Sequence, residues 1–330
     1  WASATLAPAI AAEKPVDIAE EMRRLTVGLI CDVGFNINAD DQLITRLLDD
    51  VGDSLAEYAR KRPANPLRFL VAPFLPDARR ARRAVLRQMA WAQELLDAHR
   101  TGINASAGNE LMLNLVASNP VYANDRERCA DLVAILIAGH DTTGFSLAWL
   151  FCEMATHPDI QEWVRKDLLS CPDPHKSSAL SACIKESMRI NPTAGLGTMR
   201  YAGTDIPVPA VARGAYIPAG SVVAFPFLPL QRSTSLMDPD TFRPDRWLKD
   251  DATEAKLVSM PFGAGGPRLC VGQSFANTQI TTVAAEVISQ YRLEMHTPPR
   301  AVTSLTRKPE GARILFTLVD EDGARQRRSL

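Results

Sequence analysis

Apolar residues recur at helical spacing through most of the first half of the chain. In residues 18–60 and 76–100 they return every three or four positions, as in Val85, Met89 and Ala92. That spacing is typical of amphipathic helices. Residues 105–124 are rich in small side chains and predict a connector around one further short helix. The first half of the chain is therefore predicted to be helical.

The most apolar part of the chain predicts one long helix. Asn124 is a good N-cap, and Glu127 three positions later completes a capping box. The helix can continue to about Thr156, because the next residue precedes Pro158 and is biased away from the α region. At 1.5 Å per residue it spans roughly 45 Å. Residues 132–137 are apolar on every face, so we expect this centre to be buried.

Beyond Asn191 the pattern changes, since proline and glycine become frequent and short β-favouring runs appear at 200–208 and 216–225. These runs predict hairpins around a few helices. The fold class is therefore mainly α with a small β lobe (α+β). We prefer one domain over residues 1–330, although two domains are compatible with the length.

Composition narrows the function. The chain has 330 residues, of which 46% are apolar and 23% charged, and its formal charge is −1. Near-neutral charge gives no case for nucleic acid as a partner. The basic run at 79–83 is interpreted as one solvated helix face.

The best apolar run, 222–230, is interrupted by two prolines and is far shorter than the ~18 residues that span a bilayer. The chain opens on Trp1, so we expect a fragment or processed product.

Six cysteines occur without any CxxC pair, and five of them are interpreted as ordinary reduced residues. The sixth, Cys270, ends a glycine-rich loop that leads into an apolar helix-like segment. The positive end of a helix favours the thiolate, which is the form that binds metal. Glycines let a backbone approach a flat cofactor, and Arg268 can reach an anionic group at its edge. Haem with thiolate ligation fits this arrangement; the alternative is a buried structural cysteine beside a flexible loop.

The loop resembles the signature Phe-x-x-Gly-x-Arg-x-Cys-x-Gly of the cytochrome P450 haem-thiolate monooxygenases. Gly266, Arg268, Cys270 and Gly272 match it, whereas Phe262 lies one residue too far upstream. The resemblance implies a cytochrome P450-like fold, haem b (iron protoporphyrin IX) as cofactor and Cys270 as the iron ligand. It also implies that Phe262 packs near the sulfur and that the two glycines and Arg268 contact the cofactor.

A second match lies inside the long helix, where Ala138-Gly139-His140-Asp141-Thr142-Thr143 resembles the oxygen-activating segment of the family. Glycine is costly in a helix interior, by about 1 kcal/mol relative to alanine, and its presence suggests close approach to something. The Thr142 hydroxyl can bond back to the Ala138 carbonyl and open a groove for water. Asp141 supplies a carboxyl that can pass protons. Asp141 and Thr142 are therefore the candidate catalytic residues, with Ala138 lining the cofactor. His140 occupies the variable position of the pattern; we expect it to line the groove or face solvent, and give it no metal role.

The third match is structural. Glu186 and Arg189 are three apart and share a helix face. In the family this pair is buried and joined by an arginine from a later Phe-x-Pro-Glu-Arg-Phe segment. Here that segment resembles Phe242-Arg243-Pro244-Asp245-Arg246-Trp247, with Asp for Glu and Trp for the last Phe. We therefore expect a buried Glu186–Arg189–Arg246 triad that holds the haem-loop side of the fold. Arg200, eleven residues after Arg189, is a second candidate beside Arg268 for the haem propionates; the alternative is a strand-edge arginine.

The motifs occur in the family's order, with a haem-binding core over about 124–317 and weaker similarity back to about Leu6. The interval from Thr142 to Glu186 is short for the family, and the family's N-terminal part, with its membrane anchor, is expected to be missing. For the full-length parent the resemblance implies an intracellular place, at the endoplasmic reticulum membrane or in an organelle, with membrane association through the missing N-terminus.

The resulting hypothesis is a monooxygenase that hydroxylates or epoxidises a lipophilic small molecule. Electrons then come from a redox partner, an NADPH reductase or a ferredoxin, because no flavin or nicotinamide fingerprint is visible in the sequence. Two alternatives stay open: a haem-thiolate isomerase or dehydratase that needs no external electrons, and a truncated product without catalytic activity.

Overall fold

The structure is a computed structural model that describes residues 5–65, 67–102, 111–208, 210–233, 236–248, 256 and 258–319. It is mainly helical with small antiparallel sheets, as the sequence predicts. The chain divides into two compact units, Trp1–Thr156 with Tyr291–Leu318, and His157–Gln290 with Val319–Leu330.

The first unit contains eight of the described helices and five of the described strands. The helices are α1 (Ala7–Ala11), α2 (Ile18–Leu29), α3 (Asp41–Leu55), α4 (Arg62–Ala64), α5 (Arg68–Val71), α6 (Pro76–Arg100), α7 (Leu111–Ala117) and α8 (Asp125–Thr156). The strands are β1 (Val16–Asp17), β6 (Tyr291–Thr297), β7 (Arg300–Thr303), β8 (Arg307–Glu310) and β9 (Arg313–Leu318). Strands β1, β9 and β6 form one antiparallel sheet, and β7 pairs with β8 in a separate antiparallel hairpin.

Helix α8 is the predicted long helix, and its limits are confirmed. The Glu127 amide donates to Asn124 Oδ1 at 3.1 Å, and Glu127 Oε2 accepts from the Ala123 amide at 2.8 Å. The helix ends at Thr156, and α9 starts at Pro158. Its burial is only partly as predicted: Leu132 and Leu136 are buried, but Ala134 is exposed. The most continuous buried stretch lies further along, at 143–155.

Among the described residues, α8 is also the one helix long and apolar enough to cross a membrane by length and composition. Its most apolar window is 61% buried within the structure, as in the core helix of a soluble protein.

Helix α2 crosses α8 at very short range, and two glycines make this possible. A Cβ on Gly144 would lie 3.0 Å from the Met22 carbonyl oxygen and 3.0 Å from Thr26 Oγ1. A Cβ on Gly139 would lie 2.9 Å from Ile30 Cδ1. The Thr26 hydroxyl also lies 2.9 Å from the His140 carbonyl oxygen. At Gly144, α2 therefore packs directly against the backbone of α8.

The second unit carries helices α9 to α12 and two short hairpin sheets. The helices are α9 (Pro158–Ser170), α10 (Ser178–Ile190), α11 (Phe227–Gln231) and α12 (Gln273–Gln290). The strands β2 (Thr198–Tyr201) and β5 (Val222–Phe225) pair with each other, as do β3 (Ile206–Pro207) and β4 (Tyr216–Ile217). Each predicted β run is thus split over two separate sheets.

Candidate functional site

The cysteine loop is closed by its own backbone. The Cys270 amide donates to the Phe262 carbonyl at 3.0 Å, and the Leu269 amide donates to the Gly266 carbonyl at 3.1 Å. The Gln273 amide, at the start of α12, donates to the Cys270 carbonyl at 3.3 Å. Cys270 therefore lies directly before the N-terminus of an 18-residue helix. Phe262, one position too early for the family spacing, contributes its carbonyl group to the loop.

Three glycines of the loop have the left-handed backbone that other residues rarely adopt: φ is +97° at Gly263, +97° at Gly265 and +73° at Gly266. A Cβ at Gly265 or Gly266 would meet no described atom within 4 Å, so the space over this part of the loop is open. At Gly272 a Cβ would lie 3.9 Å from Cys270 Sγ, an ordinary contact. The left-handed backbone at position 266 thus favours glycine there. At position 272 a larger side chain would not clash with the Cys270 thiol.

Cys270 is the one exposed cysteine of the six, all of which lie in the described part of the chain. Burial raises the pKa of four others, Cys31, Cys129, Cys152 and Cys183, and that of Cys31 reaches about 12. These four thiols are held protonated inside the protein, which suits neither metal binding nor nucleophilic chemistry.

Arg268 and Arg200 are both exposed. Arg268 lies in the short 3-10 turn Gly266–Arg268 beside the thiol. Arg200 lies on β2, opposite Val223 of β5, and its guanidinium donates to the Met199 carbonyl at 2.8 Å and to the Thr198 hydroxyl. The Arg200 guanidinium thus lies against its own strand. The contact of Arg200 with a haem propionate stays a prediction.

The predicted hydrogen bond inside α8 is present. Thr142 Oγ1 donates to the Ala138 carbonyl at 2.6 Å, and Ser146 Oγ donates in turn to the Thr142 carbonyl at 2.8 Å. The helix continues through this segment without a break. Because the single Thr142 hydroxyl proton is committed to Ala138, the hydroxyl oxygen is left to accept a hydrogen bond from another group.

Asp141 is ion-paired, which the sequence did not reveal. Its Oδ1 accepts from Arg23 Nε of α2 at 2.8 Å and lies 3.1 Å from His140 Nε2. Burial alone raises the pKa of this carboxyl, but His140 and Arg23 outweigh burial and lower it to about 2. The same partnership raises the pKa of Arg23, against the opposing effect of burial. The predicted proton-passing carboxyl is therefore firmly ionised in this structure.

One expectation about this segment is confirmed and another is corrected. Gly139 does allow a close approach, but the approaching group is the Ile30 side chain. His140 neither lines an open groove nor faces solvent: it is fully buried, and its Nδ1 donates to the Leu136 carbonyl at 2.8 Å. This hydrogen bond fixes the imidazole ring of His140 against the backbone of α8, beside Asp141.

The structure brings the three members of the predicted triad together in the second unit. Arg189 donates to both oxygens of Glu186 at 2.9 Å, and Arg246 Nε donates to Glu186 Oε1 at 2.9 Å. Glu186 and Arg189 are completely buried. The remaining guanidinium nitrogens of the two arginines donate to backbone carbonyls of 231–241, for example Arg189 Nη1 to Pro239 at 2.7 Å. The triad thus ties α10 to the irregular segment that precedes the cysteine loop.

Two further partners of this cluster were missed by sequence reasoning. Trp247 Nε1 donates to Glu186 Oε2 at 2.8 Å, so the tryptophan in place of the family's phenylalanine is itself a ligand of the carboxylate. Gln231 is fully buried; its backbone carbonyl accepts from Arg189 Nη1 at 2.9 Å, and its Oε1 accepts from the Met260 amide at 2.6 Å. The tryptophan at position 247, where the family has phenylalanine, was the sequence signal that could have pointed to Trp247. Gln231 lies in no motif.

Comparison with known proteins decides the family. A model of the cytochrome P450 family matches residues 3–316, nearly the whole chain. The chain belongs to the cytochrome P450 family. Cytochrome P450s carry haem, so the cofactor expected from the sequence is that of the family.

Individual relatives agree with this assignment. The chain is 28% identical over 312 residues to the "Probable cytochrome P450 12d1 proximal, mitochondrial" of Drosophila melanogaster, covering 86% of this chain and 58% of the relative. It is 36% identical over 165 residues to the "Cytochrome P450 monooxygenase aclC" of Aspergillus oryzae, covering 48% and 33% of the two chains. A crystal structure of a cytochrome P450 superposes with a TM-score of 0.74 at 22% identity, covering 95% of this chain and 71% of that one. The chain spans about 58% or less of the length of these curated relatives.

The residues around Cys270 fit haem. The thiol is a soft ligand that iron accepts, and it is exposed between Leu269, 43% exposed, and Val271, fully exposed. Exposed apolar side chains beside an open glycine loop suit a flat, largely apolar ring. Arg268 offers an exposed positive charge for the carboxylates at the edge of that ring.

Proposed function

We propose that this cytochrome P450 is a haem-thiolate monooxygenase that inserts one oxygen atom from O₂ into a lipophilic small molecule, by hydroxylation or epoxidation. The observation that carries the proposal is Cys270, the one exposed thiol among the six cysteines, held before a helix N-terminus by a closed glycine loop. One P450-like domain over residues 1–330 is part of the proposal, supported by a family match that runs through both units.

In this proposal Cys270 holds the iron, and Arg268 and Arg200 supply positive charge for the haem carboxylates. Bound haem supplies the activation of O₂, which thiolate ligation favours. On α8, the Thr142 oxygen accepts a hydrogen bond from water, because its own proton is donated to Ala138. Asp141 Oδ2, the oxygen that Arg23 does not hold, is the proposed place of proton transfer, although the carboxyl is ionised in this structure.

Electrons are proposed to come from a separate redox partner, a reductase or a ferredoxin. One relative, the cholesterol side-chain cleavage enzyme of Hypanus americanus, is named mitochondrial, as is the fly relative. These names support a place in an organelle, and we propose a mitochondrion or the endoplasmic reticulum membrane for this protein.

A surface of the first unit supports membrane contact. Between α4 and α6 lies an apolar tip whose side chains are 50–75% exposed: Leu67, Phe69, Leu70, Val71 and Phe74. Arg68, inside this run, is turned inward and pairs with Glu57 at 2.9 Å and Asp77 at 2.7 Å. These ion pairs fix the segment with its apolar side chains outward.

The helix that follows the tip begins with a basic face. Its arginines Arg79, Arg80, Arg82 and Arg83 are exposed to solvent, as predicted, but their place beside the tip favours a binding role that the sequence did not suggest. Apolar side chains beside clustered arginines match the surface of an anionic bilayer.

Haem reconstitution tests the central claim. The chain is mixed with haemin, reduced and exposed to CO, and the thiolate-type absorption band is recorded for the wild type, Cys270→Ser and Cys171→Ser. We expect the band in the wild type and in Cys171→Ser, the partly exposed control, and its loss in Cys270→Ser. A band that survives in Cys270→Ser refutes the assignment, and a wild type that never shows it supports the non-catalytic alternative.

Turnover assays distinguish a monooxygenase from an isomerase or dehydratase. In the reconstituted protein, product formation should require O₂, a reductant and a redox partner. Thr142→Ala should keep haem binding but lower the product formed per reductant consumed, because the water-holding oxygen is lost. Product formed without O₂ or reductant would establish the isomerase or dehydratase instead.

A further inference from the structure

Gln231 is a fully buried residue outside every motif of the chain, and its side-chain amide bridges two segments of the second unit. Its Oε1 accepts from the Met260 amide at 2.6 Å, and its Nε2 donates to the Met188 carbonyl at 3.4 Å. We propose that Gln231 is a positioning residue that holds the start of the cysteine loop and thereby keeps Cys270 in place to bind iron, a role that rests on the proposed function of Cys270 as the haem ligand.

The backbone around Gln231 gives the side chain a rigid base. The Gln231 carbonyl accepts from Arg189 Nη1 at 2.9 Å, and the next residue, Arg232, donates through Nε to the Ile190 carbonyl at 2.9 Å. Gln231 is also the last residue of the short helix α11, whose first residue, Phe227, is buried. The end of α11 is therefore fixed to the end of α10 by two hydrogen bonds, and Gln231 shifts only if these bonds break.

The Met260 amide is the last backbone donor before Pro261, whose nitrogen carries no hydrogen. The Met260 carbonyl accepts from the Gly263 amide at 3.1 Å, which closes the first turn of the loop. The carbonyl of Phe262, inside this turn, accepts from the Cys270 amide at 3.0 Å. Because a proline restricts its own φ and the conformation of the residue before it, a shift at Met260 is passed on to Phe262 and so to Cys270.

The direction of the Gln231 amide is fixed by its two partners. A backbone N–H can only donate and a carbonyl can only accept, so Oε1 faces the Met260 amide and Nε2 faces the Met188 carbonyl. Bulk solvent does not reach this completely buried side chain. A side chain at 231 without an acceptor would therefore leave the Met260 amide unpaired, and the loop should open at least about fivefold more often.

Hydrogen exchange followed by mass spectrometry, on the full chain without haem, tests the link to the loop. Gln231→Met keeps the length of the side chain but offers no strong acceptor, so peptides covering 260–273 should exchange at least about fivefold faster. Gln231→Glu keeps an acceptor oxygen in the same place and should retain most of the protection. Loop exchange that is unchanged in Gln231→Met, or raised equally in Gln231→Glu, overturns the proposal.

A second variant covers the case in which circular dichroism shows that Gln231→Met does not fold. Gln231→Asn keeps a polar amide in the core but withdraws it by one methylene group from the Met260 amide. The same faster exchange of the loop is expected in Gln231→Asn, and wild-type exchange in a folded Gln231→Asn overturns the proposal.

Trp247→Phe is the matched control within the same buried cluster. It removes the hydrogen bond from Trp247 Nε1 to Glu186 Oε2, at 2.8 Å, but keeps an aromatic ring. Trp247→Phe should loosen peptides of α10 and of 237–247 before those of the loop, whereas Gln231→Met should loosen the loop first. The same order of loss in both variants would mean that Gln231 acts only through the general stability of the second unit, which overturns the proposal.

Haem reconstitution then connects the loop with the iron ligand. After loading with haemin, reduction and exposure to CO, the fraction of bound haem that shows the thiolate-type band should fall further in Gln231→Met than in Trp247→Phe. If the loop exchanges faster while this fraction keeps its wild-type value, Gln231 does not position Cys270 and the proposal is overturned. A wild type that never shows the band contradicts the proposed function instead, and the exchange experiment by itself decides whether Gln231 holds the loop.

Discussion

Replacing Glu186 by glutamine tests whether the buried triad holds the second unit together. Both Glu186 oxygens accept strong donors: Oε1 from Arg189, Arg246 and the Arg243 amide, Oε2 from Arg189 and Trp247. Gln is nearly isosteric, but its NH₂ group must face one of these sets of donors. Two guanidinium groups then lie without a counter-charge where Arg189 is fully buried and Arg246 nearly so.

Breaking a buried ion pair from one side costs about 3–5 kcal/mol, comparable to much of the stability of a domain. At about 2–4 °C per kcal/mol for a domain of 150–250 residues, the melting temperature of Glu186→Gln should fall by about 6–20 °C. The second unit offers an exposed control, because Arg232 and Asp240 pair at 3.0 Å with side chains that are 27% and 73% exposed. Asp240→Asn should cost less than about 1 kcal/mol.

The assay is thermal unfolding by circular dichroism, together with hydrogen exchange followed by mass spectrometry, which follows the stability of each unit by itself. Protection should be lost first in peptides of α10 and of 237–247. Equal melting temperatures for Glu186→Gln and Asp240→Asn would refute the reasoning, because burial would then have no influence on the cost of losing the charge.

Three further predictions follow from other parts of the structure. Asp141 has a folded-state pKa of about 2, below the 3.8 of the unfolded chain, so its stabilisation is complete above about pH 5 and is lost as the pH falls toward 2. The difference in unfolding free energy between wild type and Asp141→Asn should therefore shrink by about 2 kcal/mol between pH 6 and pH 2.5; a constant difference contradicts the ion pair. Gly144→Ala should destabilise the fold by about 1–3 kcal/mol in urea unfolding, because the methyl group meets backbone on α2. The control Gly52→Ala, with no atom within 4 Å, should stabilise α3 by about 0.5–1 kcal/mol, and the same sign for both contradicts the helix contact. In vesicle flotation, the double variant Phe69→Ser/Phe74→Ser should lose most binding to phosphatidylglycerol vesicles while keeping the wild-type melting temperature, and undiminished binding places the membrane surface elsewhere.

The sequence alone determined features whose causes lie within a few neighbouring residues. The limits of α8 followed from Asn124, Glu127 and Pro158, since capping and the restriction before proline act locally. The Thr142–Ala138 hydrogen bond followed from four-residue spacing in a helix. The cysteine motif carried enough specificity to predict the family that the comparison confirms.

The tertiary structure alone decided which groups meet across the chain. Arg23 is 118 positions from Asp141, and no local pattern marks either as the partner of the other. The family pattern presented Asp141 as a free carboxyl and His140 as a groove or surface residue. In the folded protein Asp141 forms an ion pair with Arg23 of α2, and His140 is buried. The ionisation of a side chain depends on its burial and on its distance to other charged groups. Both are set only when helices that are distant in the sequence pack together. The residue types at a site can therefore be read from the sequence, whereas their charge and availability for chemistry are fixed by the fold.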